Sequence, residues 1–302
     1  MTLPNDGPII RTNVPPASTI YVRRPEQIRA WWNAIYHNRQ TQLGATATLV
    51  NFGDANNFGA LNAATGTGAQ FSATGLAPTW TPTSALSGWA TPFNLAGSGN
   101  WQGVIPVLTF NGTSEYLTTP DATYWTRLES GAAKATWGMW INIPGAAGIT
   151  SLMTKYDGIA GQAEWAWEIN ADETIRLILV DEVDDITINR TTDAALSVDT
   201  WHQVIVTYDG GTSALTAAAN DITYYVDGVS VASTATNDAL YSGMANGTEV
   251  VAIGVGQPSG TPNRYFNGRM AGGPCGPFFV QAALTVAQVL NMYRIERLAL
   301  GV

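Results

Sequence analysis

The sequence predicts an all-β fold, a sandwich of two antiparallel sheets, and two observations carry this prediction. From residue 104 onward, short runs of alternating apolar and polar residues follow one another, separated by Gly, Asn and Asp. The turns recur about every 8–12 residues, which is typical of sandwiches and barrels. The composition agrees, because 45% of the 302 residues are hydrophobic and only 12% are charged. Soluble proteins usually carry about 25% charged residues, so Asn, Thr, Ser and Gly must supply much of this surface.

The alternating runs place the predicted strands along the chain. Residues 41–100 contain one charged residue, Asp54, and predict short strands with long loops, including one strand in 44–52. Asp227-Gly228 supplies the positive φ that a tight hairpin turn requires. The later strands are expected within 104–112, 116–120, 135–143, 150–158, 164–170, 174–182, 185–192, 201–211, 222–231, 249–256 and 265–270.

A helix is predicted after these strands. Thr285 and Gln288 have the spacing of a capping box, in which two side chains satisfy the first N–H groups of a helix. The apolar stripe that follows consists of Val286, Val289, Leu290 and Tyr293.

Residues 1–40 predict an extended arm and a short amphipathic helix. Four prolines within 1–22 oppose strand pairing, and Pro25 suits the first turn of a helix. One face of this helix is apolar and consists of Ile28, Trp31, Trp32, Ile35 and Tyr36. The segment is basic through Arg11, Arg23, Arg24 and Arg29, among others. We predict that 1–40 anchors or oligomerises the protein and that 41–302 forms the sandwich. The alternative is that the helix packs on its own domain.

The charge balance restricts the partners. The net charge is −9 although residues 1–40 are basic, so the sandwich region is strongly acidic and is expected not to bind nucleic acid. The single cysteine, Cys275, excludes an intrachain disulfide. We expect neither a membrane span nor a signal peptide, because the chain has no apolar run of 18 residues and starts without a basic and apolar leader pattern.

Several motifs of the sandwich region, taken in order, resemble those of a known superfamily. They are “LTFNGTSEYL” (108–117), “ATWGMWINI” (135–143), “SLMTKYDG” (151–158), “DTWHQVIVTYDGG” (199–211), “TYYVDGVSV” (223–231), “AIGVG” (252–256), “YFNGRM” (265–270) and “LTVAQVLNMY” (284–293). This order resembles the laminin-G-like, concanavalin-A-like lectin and glucanase superfamily, which implies a jelly-roll sandwich. Such folds host lectins, hydrolases, lyases and inert modules. Ala271, Gly272 and Gly273 replace the acidic pair of the family motif.

The titratable residues indicate no catalytic site. His202 begins a strand with no Cys or Ser motif beside it, and a structural hydrogen bond is the favoured interpretation. Glu164 and Glu168 lie on one strand face about 13 Å apart, which is too far for the carboxylate pair of a glycosidase. A dense acidic loop consists of Asp181, Glu182, Asp184 and Asp185. Its oxygens can hold Ca²⁺, although a solvated acidic turn is the favoured interpretation.

Exposed aromatic residues are the candidates for binding sugars. The chain has 11 Trp, and most Trp residues of a sandwich belong to its core. The glycan-binding candidates are Trp80, Trp89, Trp165 and Trp167.

Together these features predict a non-enzymatic structural protein of a viral particle. An extracellular type of fold without a leader, joined to a basic arm, suits a phage capsid-decoration or tail protein located in the virion. We expect a homo-oligomer, with a trimer as the first choice, that docks on a larger assembly and binds surface glycans. The alternatives are an extracellular carbohydrate-binding lectin module and a polysaccharide hydrolase or lyase.

Overall fold

The computed structural model describes most of the chain from residue 107 onward. The described residues are 107–119, 121, 125, 134–145, 147–157, 163–181, 186–210, 213–244, 246–257, 261–272, 275–300 and 302, together with Asn38, 48–49, 51–52, 70–75 and 79–80.

The described residues form short strands with one helix after them. The strands are β1 (Thr48–Leu49), β2 (Asn51–Phe52), β3 (Gln70–Gly75), β4 (Thr79–Trp80), β5 (Val107–Asn111), β6 (Glu115–Thr119), β7 (Lys134–Asn142), β8 (Thr150–Lys155), β9 (Trp165–Ile169), β10 (Ile175–Asp181), β11 (Ile186–Thr192), β12 (Trp201–Asp209), β13 (Ile222–Val226), β14 (Val229–Val231), β15 (Ser233–Thr236), β16 (Val251–Ile253), β17 (Asn267–Ala271) and β18 (Phe278–Val280). A 3₁₀ segment, Leu215–Asp221, precedes β13, and helix α1 spans Val286–Leu300.

The strands form two sheets. Sheet I has the order β14-β13-β12-β7-β17-β5-β4, with β18 beside β7 and β1 beside β18. Sheet II has the order β15-β11-β10-β9-β8-β16-β6-β3-β2. All pairs of strands in the described part are antiparallel except β2 with β3. The predicted two-sheet antiparallel jelly-roll sandwich is therefore confirmed.

The two sheets enclose an aromatic core. Side chains alternate across each strand, so Trp165 and Trp167 of β9 point into the core. Trp137 of β7 meets Trp165 edge to face, with ring centroids 5.3 Å apart. Phe279 of β18 stacks on Trp165 at 6.0 Å. Burying each side chain of this size stabilises the fold by about 1.5–3 kcal/mol, so these rings hold the two sheets together.

Helix α1 covers the outer face of sheet I. Its residues Val289 and Met292 pack with Ile205 and Tyr225 of the sheet. Glu296 is fully buried, and its Oε2 accepts hydrogen bonds from Trp140 Nε1 at 2.7 Å and from Gln203 Nε2 at 3.0 Å. Strand β12 is consequently buried on both of its faces, which explains why its outward residues are not strongly polar.

The start of helix α1 confirms the predicted capping box, but its apolar stripe was partly wrong. Thr285 N–H donates to Gln288 Oε1 at 2.9 Å, and Gln288 N–H donates to Thr285 Oγ1 at 3.3 Å. Val286 is 55% exposed, because the helix turns Val289, Met292 and Glu296 towards the sheet.

Most of the predicted N-terminal features lie outside the described residues. This applies to the arm, to the apolar stripe Ile28, Trp31, Trp32, Ile35 and Tyr36, and to Arg11, Arg23, Arg24 and Arg29. Asn38 is described as helical, and its Oδ1 accepts a hydrogen bond from Asn291 Nδ2 of α1 at 3.2 Å. The domain division at residue 40 stays a prediction.

Candidate functional site

The outer face of sheet II carries a row of polar side chains. Ser151 of β8 pairs with Glu168 of β9, Glu168 pairs with Arg176 of β10, and Arg176 pairs with Thr191 of β11. Directly paired residues lie on the same face of a sheet. Since Trp165 and Trp167 face the core, this row faces outward. Arg176 and Thr191 are half-buried, whereas Ser151 and Glu168 are fully buried, so the row is accessible to solvent only at its β10–β11 end.

The centre of the row is a carboxylate held by two guanidinium groups. Glu168 is 1% exposed; its Oε2 accepts a hydrogen bond from Arg176 Nη2 at 2.7 Å, and its Oε1 accepts one from Arg264 Nη1 at 2.5 Å. Arg176 and Arg264 remain 24% and 36% exposed. A buried carboxylate is tolerated only when it is paired and hydrogen-bonded, so the arginines are fixed in place and the cluster keeps one net positive charge.

The hairpin that precedes β17 forms a rim beside this row. Gly256 N–H donates to Asn263 O at 2.8 Å, and Ser151 N–H donates to Arg264 O at 2.8 Å. Arg264 has a φ of 50°, in the left-handed region that residues other than glycine seldom adopt. The rim therefore holds Arg264 over Glu168 through backbone contacts as well as through the ion pair.

Three buried polar atoms around the row have no hydrogen-bond partner among the described residues. They are Ser151 Oγ, Asn263 Oδ1 and Arg176 Nε. A Cβ on Gly256 would lie 3.0 Å from Asn263 Oδ1 and 3.1 Å from Ser151 Oγ. Even the Cβ of an alanine at position 256 would therefore crowd these two oxygens and Arg264 Cδ, so the backbone of the rim packs closely against the polar row.

An aromatic ring lies next to the arginine in the rim. Tyr265 is half-buried and packs on Tyr116 with ring centroids 6.1 Å apart. Burial, and after it the neighbouring Tyr116, raise the pKa of Tyr265 above its ordinary value, so its hydroxyl stays protonated near neutral pH. The site consequently combines a partly exposed ring with charged donors.

Two of the predicted sugar-binding residues were wrong. Trp165 and Trp167 are fully buried in the core, because Glu168 and Ala166 occupy the outer face of the same strand. Trp80 belongs to β4, where its backbone pairs with Leu108. Trp89 lies outside the described residues. Sequence reasoning missed Arg176, Arg264 and Tyr265 as the candidates on this face.

Of the predicted acidic loop, only Asp181 lies among the described residues. Asp181 is buried, and its Oδ2 accepts hydrogen bonds from Ser242 N–H at 2.8 Å and from the Ser242 hydroxyl at 2.5 Å. Glu182, Asp184 and Asp185 lie outside the described residues. Within the described ranges, no group of three or more His, Cys, Asp or Glu side chains is arranged to hold a metal ion.

Glu164 and Glu168, the two carboxylates considered as a glycosidase pair, both form ion pairs. Glu164 is fully buried and contacts Lys155 Nζ, while Glu168 contacts its two arginines. The Lys155 ammonium also donates to Gly247 O at 2.6 Å and lies 3.1 Å from Asp121 Oδ1. Neither carboxylate is placed as a solvent-facing general acid or nucleophile.

His202 occupies a hydrogen-bonded chain that includes a serine. Its Nδ1 lies 2.7 Å from Asp227 Oδ2, and its Nε2 lies 2.7 Å from Ser197 Oγ. Asp227 Oδ1 accepts the Gln203 N–H at 2.9 Å. The predicted structural hydrogen bond of His202 is confirmed. These two distances match those between the side chains of a Ser-His-Asp catalytic triad. The three side chains alone do not make an acyl-transfer site, because the reaction also requires N–H donors aimed at the reacting oxygen. The same contacts fasten the 193–200 loop and the β13–β14 turn to the start of β12.

No helix in the described part of the chain has the length and apolar character needed to cross a membrane.

Solved structures with a similar fold include several binding domains. A receptor-binding domain is 11% identical, with 87% of this chain and 52% of that chain covered and a TM-score of 0.50. The botulinum neurotoxin serotype G binding domain is 11% identical, with 76% and 48% covered and a TM-score of 0.48. The CBM40 of the Ruminococcus gnavus IT-sialidase, solved with α2,3-sialyllactose, is 14% identical, with 53% and 82% covered and a TM-score of 0.41.

This chain spans about half the length of the first two structures, and at such identities the likeness shows the fold alone. No curated protein sequence matches the chain. The family model of the concanavalin A-like lectin/glucanase superfamily matches residues 111–272, more than half of the chain, and the protein therefore belongs to that superfamily.

Proposed function

We propose that the protein is a non-enzymatic, carbohydrate-binding domain that binds glycans on the outer face of sheet II. The observation that carries the proposal is the polar row through Glu168, with Arg176 and Arg264 fixed above it and Tyr265 beside it. The corresponding face of sheet I is covered by helix α1. On sheet II the outward residues of β8, β9 and β16 are buried, whereas Arg176 of β10 and the outward residues of β11 and β15 keep partial exposure. The β10–β11–β15 end of sheet II therefore presents an accessible surface.

The chemistry of this face suits a sugar. Sugars carry hydroxyl groups that need hydrogen-bonding side chains and C–H faces that pack against aromatic rings. On β11 and β15 the outward side chains beside the arginine cluster are short and polar. They include Thr187, Asn189, Thr191, Thr234 and Thr236, all half-buried or exposed. The partly exposed ring of Tyr265 supplies the apolar contact.

The placement of the acids supports binding rather than hydrolysis. Glycoside hydrolysis requires two carboxyl groups that reach the scissile bond, whereas Glu164 and Glu168 are buried in ion pairs. We expect no new reducing ends when the protein is incubated with a broad panel of polysaccharides. Release of reducing ends that disappears on substitution of a single Glu would contradict this part of the proposal.

The test of binding is a glycan array probed with the full chain and with Tyr265→Ala. We expect the native protein to bind a restricted set of glycans and the variant to lose most of that signal at an unchanged melting temperature. Val229→Ala, also a truncation to alanine but at an exposed position of sheet I, is the control and should bind as the native protein does. An array without any bound glycan, or equal binding by Tyr265→Ala, would overturn the proposal.

The viral-particle role, the trimer and the virion location remain predictions from the sequence. They depend on residues 1–40, which lie outside the described residues apart from Asn38. Deletion of 1–40 should lower the mass of the protein in solution if this segment holds an oligomer.

A further inference from the structure

We propose that the site on sheet II recognises a carboxylate-bearing saccharide, through Arg176 and Arg264. This inference rests on the proposed glycan-binding function and names the class of glycan. It follows from the charge of the cluster, from its surplus of donors and from the shape of the donor groups.

The charge of the cluster favours an anion. Two guanidinium groups share one carboxylate, Glu168, which leaves one positive charge on a protein whose net charge is −9. Both guanidinium groups stay charged at any physiological pH. The charge of the site is thus positive whereas the net charge of the protein is negative. A positive site attracts an anionic sugar and gives no such advantage to a neutral one.

The donors of the site exceed its acceptors. Each guanidinium carries five N–H donors, and each gives one to Glu168 in the described contacts. Both oxygens of Glu168 are already occupied by these bonds. An incoming group therefore meets spare N–H donors rather than a free carboxylate. An ionised carboxylate accepts hydrogen bonds and donates none, so it fits this surplus better than a hydroxyl, which also needs an acceptor.

The shape of the donors favours a planar anion. A guanidinium presents parallel N–H groups that match the two oxygens of a carboxylate. The ion pair with Glu168 and the backbone contacts of the rim hold Arg264 in place, which reduces the entropy lost on binding. Arg176 lies on β10, between β9 and β11, and is held by its ion pair with Glu168. The sugar ring attached to the carboxylate can then lie against Tyr265, next in sequence to Arg264.

The decisive experiment compares matched ligands on the native protein. The probes are oligogalacturonides, glucuronic-acid oligosaccharides and sialylated oligosaccharides, each paired with the same compound after reduction of its carboxyl groups to primary alcohols. We expect at least one acidic member to bind about tenfold or more tightly than its reduced partner, because hydrogen bonds to a charged group are lost. This comparison needs no variant, so a failure to fold cannot obscure it.

Variants then locate the contact. Arg264→Gln should lose about tenfold or more in affinity for the acidic ligand, and Arg264→Lys should recover only part of it because lysine lacks the planar fork. Arg294→Gln, an exposed position on helix α1, makes the same change of charge on the opposite sheet and should bind like the native protein. Melting temperatures of all variants are measured alongside the affinities.

The outcomes separate the two proposals. Equal binding of acidic and reduced ligands would overturn the carboxylate inference and leave glycan binding standing. Equal losses in Arg264→Gln and Arg294→Gln would also overturn it, since a general charge effect would then explain the preference. The absence of binding to any acidic or neutral glycan would overturn the proposed function and this inference with it.

Discussion

Replacement of Lys155 by methionine should destabilise the sandwich strongly. The Lys155 side chain is fully buried and contacts the equally buried Glu164, with Asp121 and the Gly247 carbonyl as further partners. Methionine keeps much of the volume but removes the ammonium group. The variant thus leaves a buried carboxylate beside an apolar side chain.

The expected cost can be worked from this geometry. Removing one partner of a buried ion pair costs about 3–5 kcal/mol. A loss of 1 kcal/mol lowers the melting temperature of a domain of this size by roughly 2–4 °C. The Lys155→Met protein should therefore melt on the order of 6–20 °C below the native protein. The double variant Lys155→Met/Glu164→Gln should recover part of the loss, because the carboxylate charge is then gone as well.

The assay is urea unfolding followed by tryptophan fluorescence, completed as a double-mutant cycle. Lys134→Met is the matched control, since Lys134 pairs with Asp209 at the surface with both side chains more than two-fifths exposed. An exposed pair of this kind contributes about 0–1 kcal/mol. If Lys155→Met costs no more than Lys134→Met, Lys155 is not a buried ion-paired residue and the reasoning fails.

Three further predictions concern the helix cap, alkaline pH and the core. Thr285→Ala should cost about 1 kcal/mol in urea unfolding by removing the cap, whereas Val286→Ala should be nearly neutral; equal costs would contradict the cap. Burial, followed by the charge of Asp221, raises the pKa of Tyr208 to about 12. An unfolded tyrosine ionises near pH 10, so the contribution of Tyr208 to the free energy of unfolding should fall by about 2 kcal/mol between pH 10 and 12. Tyr208→Phe should lose less over that range, and an identical pH profile would refute this account. Trp165→Phe should lower the melting temperature without changing glycan affinity, and a selective loss of affinity would restore Trp165 as a binding residue.

Local patterns predicted the strands well because a period of two directly separates the faces of a strand. On β9 the alternation places Trp165 and Trp167 on the face opposite Glu168, as the structure has them. The wrong prediction was that Trp165 and Trp167 lie at the surface and bind glycans. Strand β9 has glutamates on one face and tryptophans on the other, and burial is more favourable for the apolar tryptophans. The alternation on β9 therefore indicated that the tryptophans face the core.

The binding cluster could not be predicted from local patterns. Arg264 contacts Glu168 across 96 positions of sequence, and only the order of strands in sheet II brings the two together. Ser197 meets His202 through a loop that is tied to the segment after β7, since Asp199 N–H donates to the Ile143 carbonyl. Strands as short as β15 and β18 carry too few residues for a period of two to be recognised. These features arise from tertiary pairing, which no local pattern encodes.

The choice of sheet II as the binding face follows from the rest of the fold. Sheet I gives its outer face to helix α1, and the burial of Glu296 under that helix shows that the contact is a packed one rather than a loose lid. A ligand there would have to displace Val289 and Met292 from Ile205 and Tyr225, at a cost set by the apolar area exposed. On sheet II the arginines are already paired and held by the rim, so a ligand meets a fixed polar surface. The sandwich therefore uses the outer face of sheet I for stability, and the proposed recognition uses the partly exposed part of sheet II around Arg176 and Arg264.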